Sequence, residues 1–139
     1  MIVPSKDRLD FLPSMCGTKK SNFNLFEANL YRLAENKITG YSGSYWEFCK
    51  HETSIGTAYW LYPNLGDVEL TQADNWFHEV VKDETAGIAL SLMMLNLFIW
   101  YWHDKQDSEL QRHYQNRYDA LREYALTRSD ADTIFRFLD

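Results

Sequence analysis

The sequence has few cysteines and no apolar leader. Its 139 residues include only Cys16 and Cys49, which are too few for a disulfide framework and are not spaced as a CxxC pair. So little cysteine fits a reducing compartment. The first four residues are followed at once by charged ones, so the segment lacks the apolar run of a signal peptide. The low cysteine content and the lack of an apolar run near the N-terminus predict a cytoplasmic protein.

Basic residues are also in short supply. The chain has 14 Lys and Arg against 20 Asp and Glu, a formal net charge of −6. Residues 1–40 carry six basic and four acidic side chains, whereas the remainder carries eight basic and sixteen acidic ones. An acidic surface repels the phosphate backbone. The sequence therefore predicts no strong direct DNA binding, although the N-terminal part could form a small basic patch.

No apolar run reaches the length of a membrane span. Residues 86–102 (AGIALSLMMLNLFIWYW) are uncharged, but they fall short of the about 20 residues that a bilayer helix needs. The segments on either side carry no basic bias of the kind that orients a membrane helix. We expect a buried central helix and no membrane partner.

Motifs for metals and cofactors are missing. His51 and His78 each begin a His-Glu pair, but Ile55 and Lys82 stand where an HExxH motif needs its second histidine. The six glycines are scattered and include no phosphate-binding loop. The sequence thus predicts neither a metal site nor another cofactor.

Catalytic constellations are equally hard to find. Cys49 and His51 lie two apart on a predicted strand, too far for a direct nucleophile and base pair. Carboxylate pairs such as Glu47 with Glu69 are common in an acidic chain, and nothing distinguishes one of them for acid–base work. We therefore predict a protein that is not an enzyme.

Aromatic residues, in contrast, are abundant. They make up 16% of a chain that is 45% hydrophobic, so the sequence can bury enough surface to fold, and its length matches one domain. Several lie on the first two predicted strands. There they could stack on single-stranded bases, but Lys50 is the one basic residue among them. Core packing with a protein-binding surface is the favoured interpretation.

Hydrophobic periodicity and turn residues divide the chain into elements. Phe23, Phe26, Leu30 and Leu33 share one face of a predicted helix. Pro13 and Gly17 favour an irregular segment over residues 1–20. The predicted helices cover residues 23–36, 86–102 and 108–127 with a short one after residue 129, and the predicted strands cover residues 45–50, 57–62, 68–71 and 76–81.

This order segregates strands from helices, which predicts an α+β fold. Short connections between the strands favour antiparallel pairing. We expect residues 1–139 to form a single domain. It would consist of a small antiparallel sheet of three to four strands packed with about four helices, including the long buried central helix.

Six segments resemble, in order, the motifs of antirestriction proteins of the KlcA/ArdB type. They are RLDFLP at residues 8–13 followed by Gly17, Glu27 with Leu30-Tyr31, YSGSYWEF at 41–48, YWLYP at 59–63, TAGI at 85–88 and ADTIFRFLD at 131–139. The resemblance implies a protein of plasmids or prophages that relieves host type I restriction of incoming DNA. It implies a non-enzymatic interaction with a host protein, with the restriction complex as a candidate. A small enzyme acting on nucleic acid or a metabolite is the alternative.

The resemblance also suggests a site. Arg8, Glu27 and Trp46 match charged or aromatic positions of the family pattern and lie on three different elements. We expect them to converge, with Arg8 and Glu27 able to form a charge-assisted pair. The cluster is either a functional surface or an architectural one that pins the N-terminal segment to the first helix.

Overall fold

The computed structural model of the protein describes residues 1–17 and 19–139. In these residues the chain forms five α-helices, four strands and two short 3₁₀ segments. The α+β prediction is confirmed, because the four strands follow one another, with helices before and after them. The elements are the 3₁₀ segment Ser5–Asp10, α1 Phe11–Cys16, α2 Lys20–Lys37, β1 Trp46–Thr53, β2 Gly56–Pro63, β3 Asp67–Gln72, the 3₁₀ segment Ala73–Asn75, β4 Phe77–Lys82, α3 Asp83–Asp104, α4 Ser108–Leu126 and α5 Ala131–Leu138.

The four strands form two antiparallel hairpins, β1–β2 and β3–β4, in two separate sheets of two strands each. The single sheet of three to four strands was therefore a wrong prediction, although the strands themselves were found. The reason lies at the strand edges. Ile2 pairs with Cys49 on β1, and Ile38 pairs with Leu70 on β3, so each hairpin is extended by a different neighbouring segment.

The N-terminal segment is helical where the sequence favoured irregular structure. Of residues 1–20, residue 18 lies outside the described part of the chain, and Ser5–Cys16 forms the first 3₁₀ segment and α1. Pro13 is the third residue of α1, where a backbone N–H has no partner within the helix, so proline is tolerated there. Phe11, Met15 and Cys16 are buried and fix the helix against the core.

Helix α3 is the central element, as predicted from its uncharged sequence. It is long and apolar enough to cross a membrane, but 67% of its most apolar window is buried inside the protein. It packs against β2, α2, α4 and α5. Contact with β2 is closest at Gly87, and Ser91 Oγ accepts a hydrogen bond from the backbone N–H of Leu61 at 3.2 Å. Helix and hairpin are thus joined without an intervening layer of large side chains.

Aspartate side chains bond the backbone at the starts of two helices. Asp107 caps α4, because its carboxylate accepts a hydrogen bond from the N–H of Leu110 at 3.0 Å. Asp83 performs a similar role between elements: its carboxylate accepts hydrogen bonds from the N–H groups of Leu65 and Gly66. The start of α3 is thereby fixed to the turn between β2 and β3.

Trp76 is the largest local departure from the predicted elements. The predicted fourth strand, residues 76–81, began at Trp76, but this residue precedes β4 in a left-handed conformation with φ 63° and ψ 20°. Its side chain is 92% exposed. The strand begins one residue later, at Phe77, which is buried.

Candidate functional site

Arg8 reaches from the first 3₁₀ segment to strand β1. Its Nη2 lies 2.7 Å from Oε1 of Glu47, and its Nη1 donates a hydrogen bond of 3.0 Å to the carbonyl oxygen of Trp46. The Arg8 and Glu47 side chains are only 17% and 14% exposed. The carboxylate that pairs with Arg8 is therefore that of Glu47, and not that of Glu27 as we expected.

Trp46 is part of the core. It is 4% exposed, and its indole Nε1 donates a hydrogen bond of 2.8 Å to the hydroxyl of Tyr41. The ring also packs against Tyr31 of α2, with ring centroids 4.8 Å apart. Trp46 thus connects β1 with α2 and with the segment that joins them.

Glu27 belongs to the same cluster through Tyr31. Its Oε2 accepts a hydrogen bond of 2.9 Å from the Tyr31 hydroxyl, one turn further along α2. Burial, together with the charge of Glu27, raises the pKa of Tyr31 well above its usual value. The phenol therefore stays protonated and remains a donor to Glu27. The three residues singled out from the sequence converge, but they are linked through Tyr31 and the Trp46 carbonyl.

An open cleft of about 440 Å³ lies beside this cluster, and we call it the Arg8 cleft. The Arg8 guanidinium lies 4.8 Å from the ring centroids of both Tyr45 and Phe48. Tyr45 is 58% exposed, which makes it the accessible aromatic residue of the cleft. The remaining lining residues are Tyr31, Glu35, Tyr41, Gly43, Ser44 and Trp46.

Two polar atoms of the cleft have no hydrogen-bond partner among the described residues. They are Nε of Arg8 and Oγ of Ser44, both shielded from solvent. Together with the exposed face of Tyr45, they give the cleft an aromatic surface with polar atoms at its base. Such a surface suits contact with a polypeptide better than contact with a phosphate, because Glu47 already compensates the charge of Arg8.

The cysteine thiols are buried and protonated. Burial raises the pKa of Cys49 to about 12, with a further contribution from the charge of Glu84, and burial raises that of Cys16 even more. The ring of His51 packs on Tyr124 of α4, with centroids 4.6 Å apart. Neither thiol is an activated nucleophile in this environment. Within the described residues, no three His, Cys, Asp or Glu side chains come together as a metal-binding group.

Sequence reasoning missed a polar network at the N-terminus of α3. Arg128 Nε lies 2.8 Å from Asp130, and its Nη1 lies 3.2 Å from Glu84. Thr85 donates a hydrogen bond of 2.5 Å to the same Asp130 carboxylate. These residues fasten the start of α3 to the connection between α4 and α5. The nearest signal in the sequence was the TAGI segment at residues 85–88, which gave no hint of its partners.

Burial opposes ionisation of Asp130, but hydrogen bonds from Arg128 and Thr85 outweigh it. The pKa of Asp130 is lowered as a result. The network is thus stabilised by the ionised form of this carboxylate, which accepts three hydrogen bonds from these two side chains.

The chain was compared with families, sequences and structures of known proteins. The model of a family described as "Antirestriction protein" matches residues 39–139, a range that contains Trp46 but not Arg8 or Glu27. The putative antirestriction protein YubI of Escherichia coli (strain K12) is 30% identical over 133 residues, covering 96% of this chain and 90% of that protein. The uncharacterized protein YafX of the same strain is 29% identical over 140 residues, covering 99% and 85%.

A solved structure is similar over nearly the whole chain. It superposes with a TM-score of 0.82 at 27% sequence identity and covers 99% of this chain and 92% of the other. It comes from work on the KlcA and ArdB proteins, which are described as showing a novel fold and antirestriction activity against type I DNA restriction systems in vivo but not in vitro. The two chains therefore share their architecture from end to end.

Proposed function

The chain belongs to the antirestriction protein family, and we propose that it relieves type I restriction of incoming plasmid or phage DNA in the cell. One observation carries this proposal. The fold matches, over 99% of the chain, proteins described as active against type I restriction systems in vivo. The resemblance of six separate sequence segments supports the same activity.

The proposed mode of action is contact with a host protein in the cytoplasm, with the type I restriction complex as the first candidate. The related proteins are described as active in vivo but not in vitro. A requirement for a host component in addition to the restriction complex explains that difference more simply than a self-contained catalyst does. Protonated, buried thiols and an overall charge of −6 also favour protein contact over covalent catalysis or DNA binding.

Within this proposal, Arg8, Glu27 and Trp46 support a contact surface instead of making the contact themselves. The two Nη atoms of Arg8 and the indole of Trp46 are bonded within the protein, and Glu27 is bonded to Tyr31. Tyr45, stacked beside Arg8 and largely exposed, is the residue that they present. This arrangement supports the proposal that the three residues have an architectural role beneath a functional surface.

The proposed function is tested by measuring the plating efficiency of phage. Unmodified phage is titred on a host with a type I restriction system, with and without expression of this chain, and on a matched host that lacks the restriction system. Relief should appear as a higher titre on the restricting host alone. An unchanged titre, with the protein present in soluble form, would refute the proposed function. Modified phage, which is not restricted, controls for effects on infection.

A further inference from the structure

The turn between β3 and β4 presents a tryptophan to solvent in an unfavourable backbone conformation. Trp76 is 92% exposed and has φ 63°, in the left-handed region that favours glycine. Bulky side chains occupy this region at a cost in free energy, and such positions concentrate at functional sites. A large apolar side chain in water adds nothing to the core, so neither folding nor solubility explains this choice of residue.

The turn is held rigidly. The Asn75 side chain donates hydrogen bonds of 3.1 and 2.9 Å to the carbonyl oxygens of Arg136 and Phe137 at the end of α5. It also accepts one of 3.1 Å from the N–H of Phe77. The ring of Phe77 packs edge-to-face on that of Phe137, with centroids 5.5 Å apart. Trp76 therefore projects from a fixed base, and a partner that binds it orders little of this chain.

Acidic residues are frequent on the surface beside Trp76. Asp74 lies in the same turn, and Glu79 and Asp139 line the depression beside Trp76. Arg136 is bonded to Glu79 and lies 3.0 Å from Asp132. In this part of the described chain, four acidic side chains accompany one guanidinium, so acidic groups outnumber basic ones near Trp76.

We infer that Trp76 is an anchor that inserts into an apolar pocket on a basic surface of a folded host protein. Exposed tryptophans are prominent among the residues that dominate protein interfaces. The excess of carboxylates complements lysine and arginine on such a partner and repels nucleic acid, whose bases an exposed indole could stack on. This inference rests on the proposed function and adds a contact point to it.

The test compares Trp76→Ala with Trp100→Ala in the plating experiment. Trp100 is also exposed, at 57%, but lies on helix α3 in a regular conformation. We expect Trp76→Ala to reduce restriction relief by at least about tenfold, as loss of an interface anchor does, and Trp100→Ala to retain it. Full relief by Trp76→Ala would overturn the inference alone. Absence of relief by the wild-type chain would overturn the proposed function and the inference with it.

The variant Trp76→Gly tests whether loss of the indole reduces restriction relief while the stability of the fold is kept. Glycine accepts the left-handed conformation, so this variant should melt no lower than the wild type. Relief should nevertheless fall as far as in Trp76→Ala. A variant that melts normally and still relieves restriction would show that the indole is not the anchor.

Charge reversal distinguishes the two classes of partner. Asp74→Lys should weaken relief if the partner surface is basic, whereas Glu123→Lys on the exposed face of α4 makes the same charge change away from the turn and should not. If the turn instead contacted nucleic acid, Asp74→Lys would increase relief and would tighten binding of the purified protein to a DNA duplex. That second pattern would overturn the assignment of a protein partner.

Discussion

Gly87 of α3 lies against Tyr62 of β2 at a distance that leaves no room for a side chain. A Cβ atom on Gly87 would lie 2.1 Å from the Cβ of Tyr62 and 2.5 Å from the carbonyl oxygen of Leu61. It would also lie 2.6 Å from Tyr62 Cα, so two of the three atoms that it meets are backbone atoms of β2, which cannot rotate away. Position 87 requires glycine because the strand lies so close to it. Its backbone conformation is that of an ordinary α-helix and does not itself require glycine.

Gly87→Ala should therefore destabilise the protein by about 2–3 kcal/mol, because the strand and the central helix must separate to admit the methyl group. Urea unfolding monitored by tryptophan fluorescence measures this cost. Asn96→Ala, an exposed change on the same helix, should stay within about 0.5 kcal/mol of the wild type. Equal stability of Gly87→Ala and the wild type would contradict the close packing of α3 on β2.

Alanine variants of Trp46 and Tyr45 should distinguish a residue that stabilises the fold from a residue that contacts a partner. Trp46→Ala removes a buried ring and the donor to Tyr41, so it should cost about 3–4 kcal/mol, and relief should decline with stability. Tyr45→Ala changes an exposed residue, so melting should shift little while relief falls. Thermal melting and plating efficiency are measured on both variants. Normal relief by a folded Tyr45→Ala protein would remove the Arg8 cleft from the contact surface.

The Arg8–Glu47 pair should show coupling in a double-mutant cycle. Because both groups are largely buried, removing one leaves the other without its partner, and each single change to alanine should cost about 2–3 kcal/mol. The double change should cost less than the sum of the two. Arg8 with Glu27 provides the contrasting cycle, and additive effects are expected there because Glu27 is bonded to Tyr31 instead.

Low pH should lower the free energy of unfolding, in part because Asp130 becomes protonated. Its pKa is lowered in the folded state, so the ionised carboxylate stabilises the fold. This contribution is fully present above the ordinary carboxyl pKa of about 4 and is lost as the pH falls through the lower folded-state value. The unfolding free energies of the wild type and Asp130→Asn should therefore differ at neutral pH and converge in acid. Asp104→Asn controls for the loss of one negative charge, and a constant difference across the pH range would contradict the assignment.

Both thiols should resist modification in the folded protein. Burial raises the pKa of each, to about 12 for Cys49, so few thiolates form at pH 8. A thiol-specific disulfide reagent should label neither cysteine quickly under native conditions and both after denaturation. Rapid labelling of the native protein, before any loss of its melting transition, would show that one of the cysteines is accessible and activated.

The long elements were readable from the sequence because their signals are local. The apolar face from Phe23 to Leu33 gave most of α2, and the uncharged run gave the buried part of α3. Charge and aromatic content do not encode which strand edges meet. The segments that extend β1 and β3, at Ile2 and Ile38, are single bridges with no strand pattern of their own. One sheet was therefore predicted where two are present.

In the candidate site, too, local features could be predicted from the sequence and tertiary contacts could not. Its members could be chosen from the sequence, but the partner of Arg8 could not, because Glu27 and Glu47 offer identical chemistry and only the tertiary arrangement selects one of them. Trp76 was harder still. A non-glycine residue gives no sequence signal of left-handed backbone, so Trp76 was included in the predicted strand of residues 76–81. Its exposure became visible only in three dimensions.

The hydrogen bonds from Asn75 to the end of α5 also impose an order of events on a growing polypeptide. The turn that carries Trp76 is fixed by carbonyl groups 61 and 62 residues further along the chain. During synthesis those groups do not yet exist when the β3–β4 hairpin leaves the ribosome. Hydrogen-exchange labelling during refolding should accordingly show the Phe77 amide gaining protection together with α5. A ribosome-bound fragment that stops before α5 thus lacks the hydrogen bonds that fix this turn, and the rigid form of the proposed anchor arises only once α5 has been made.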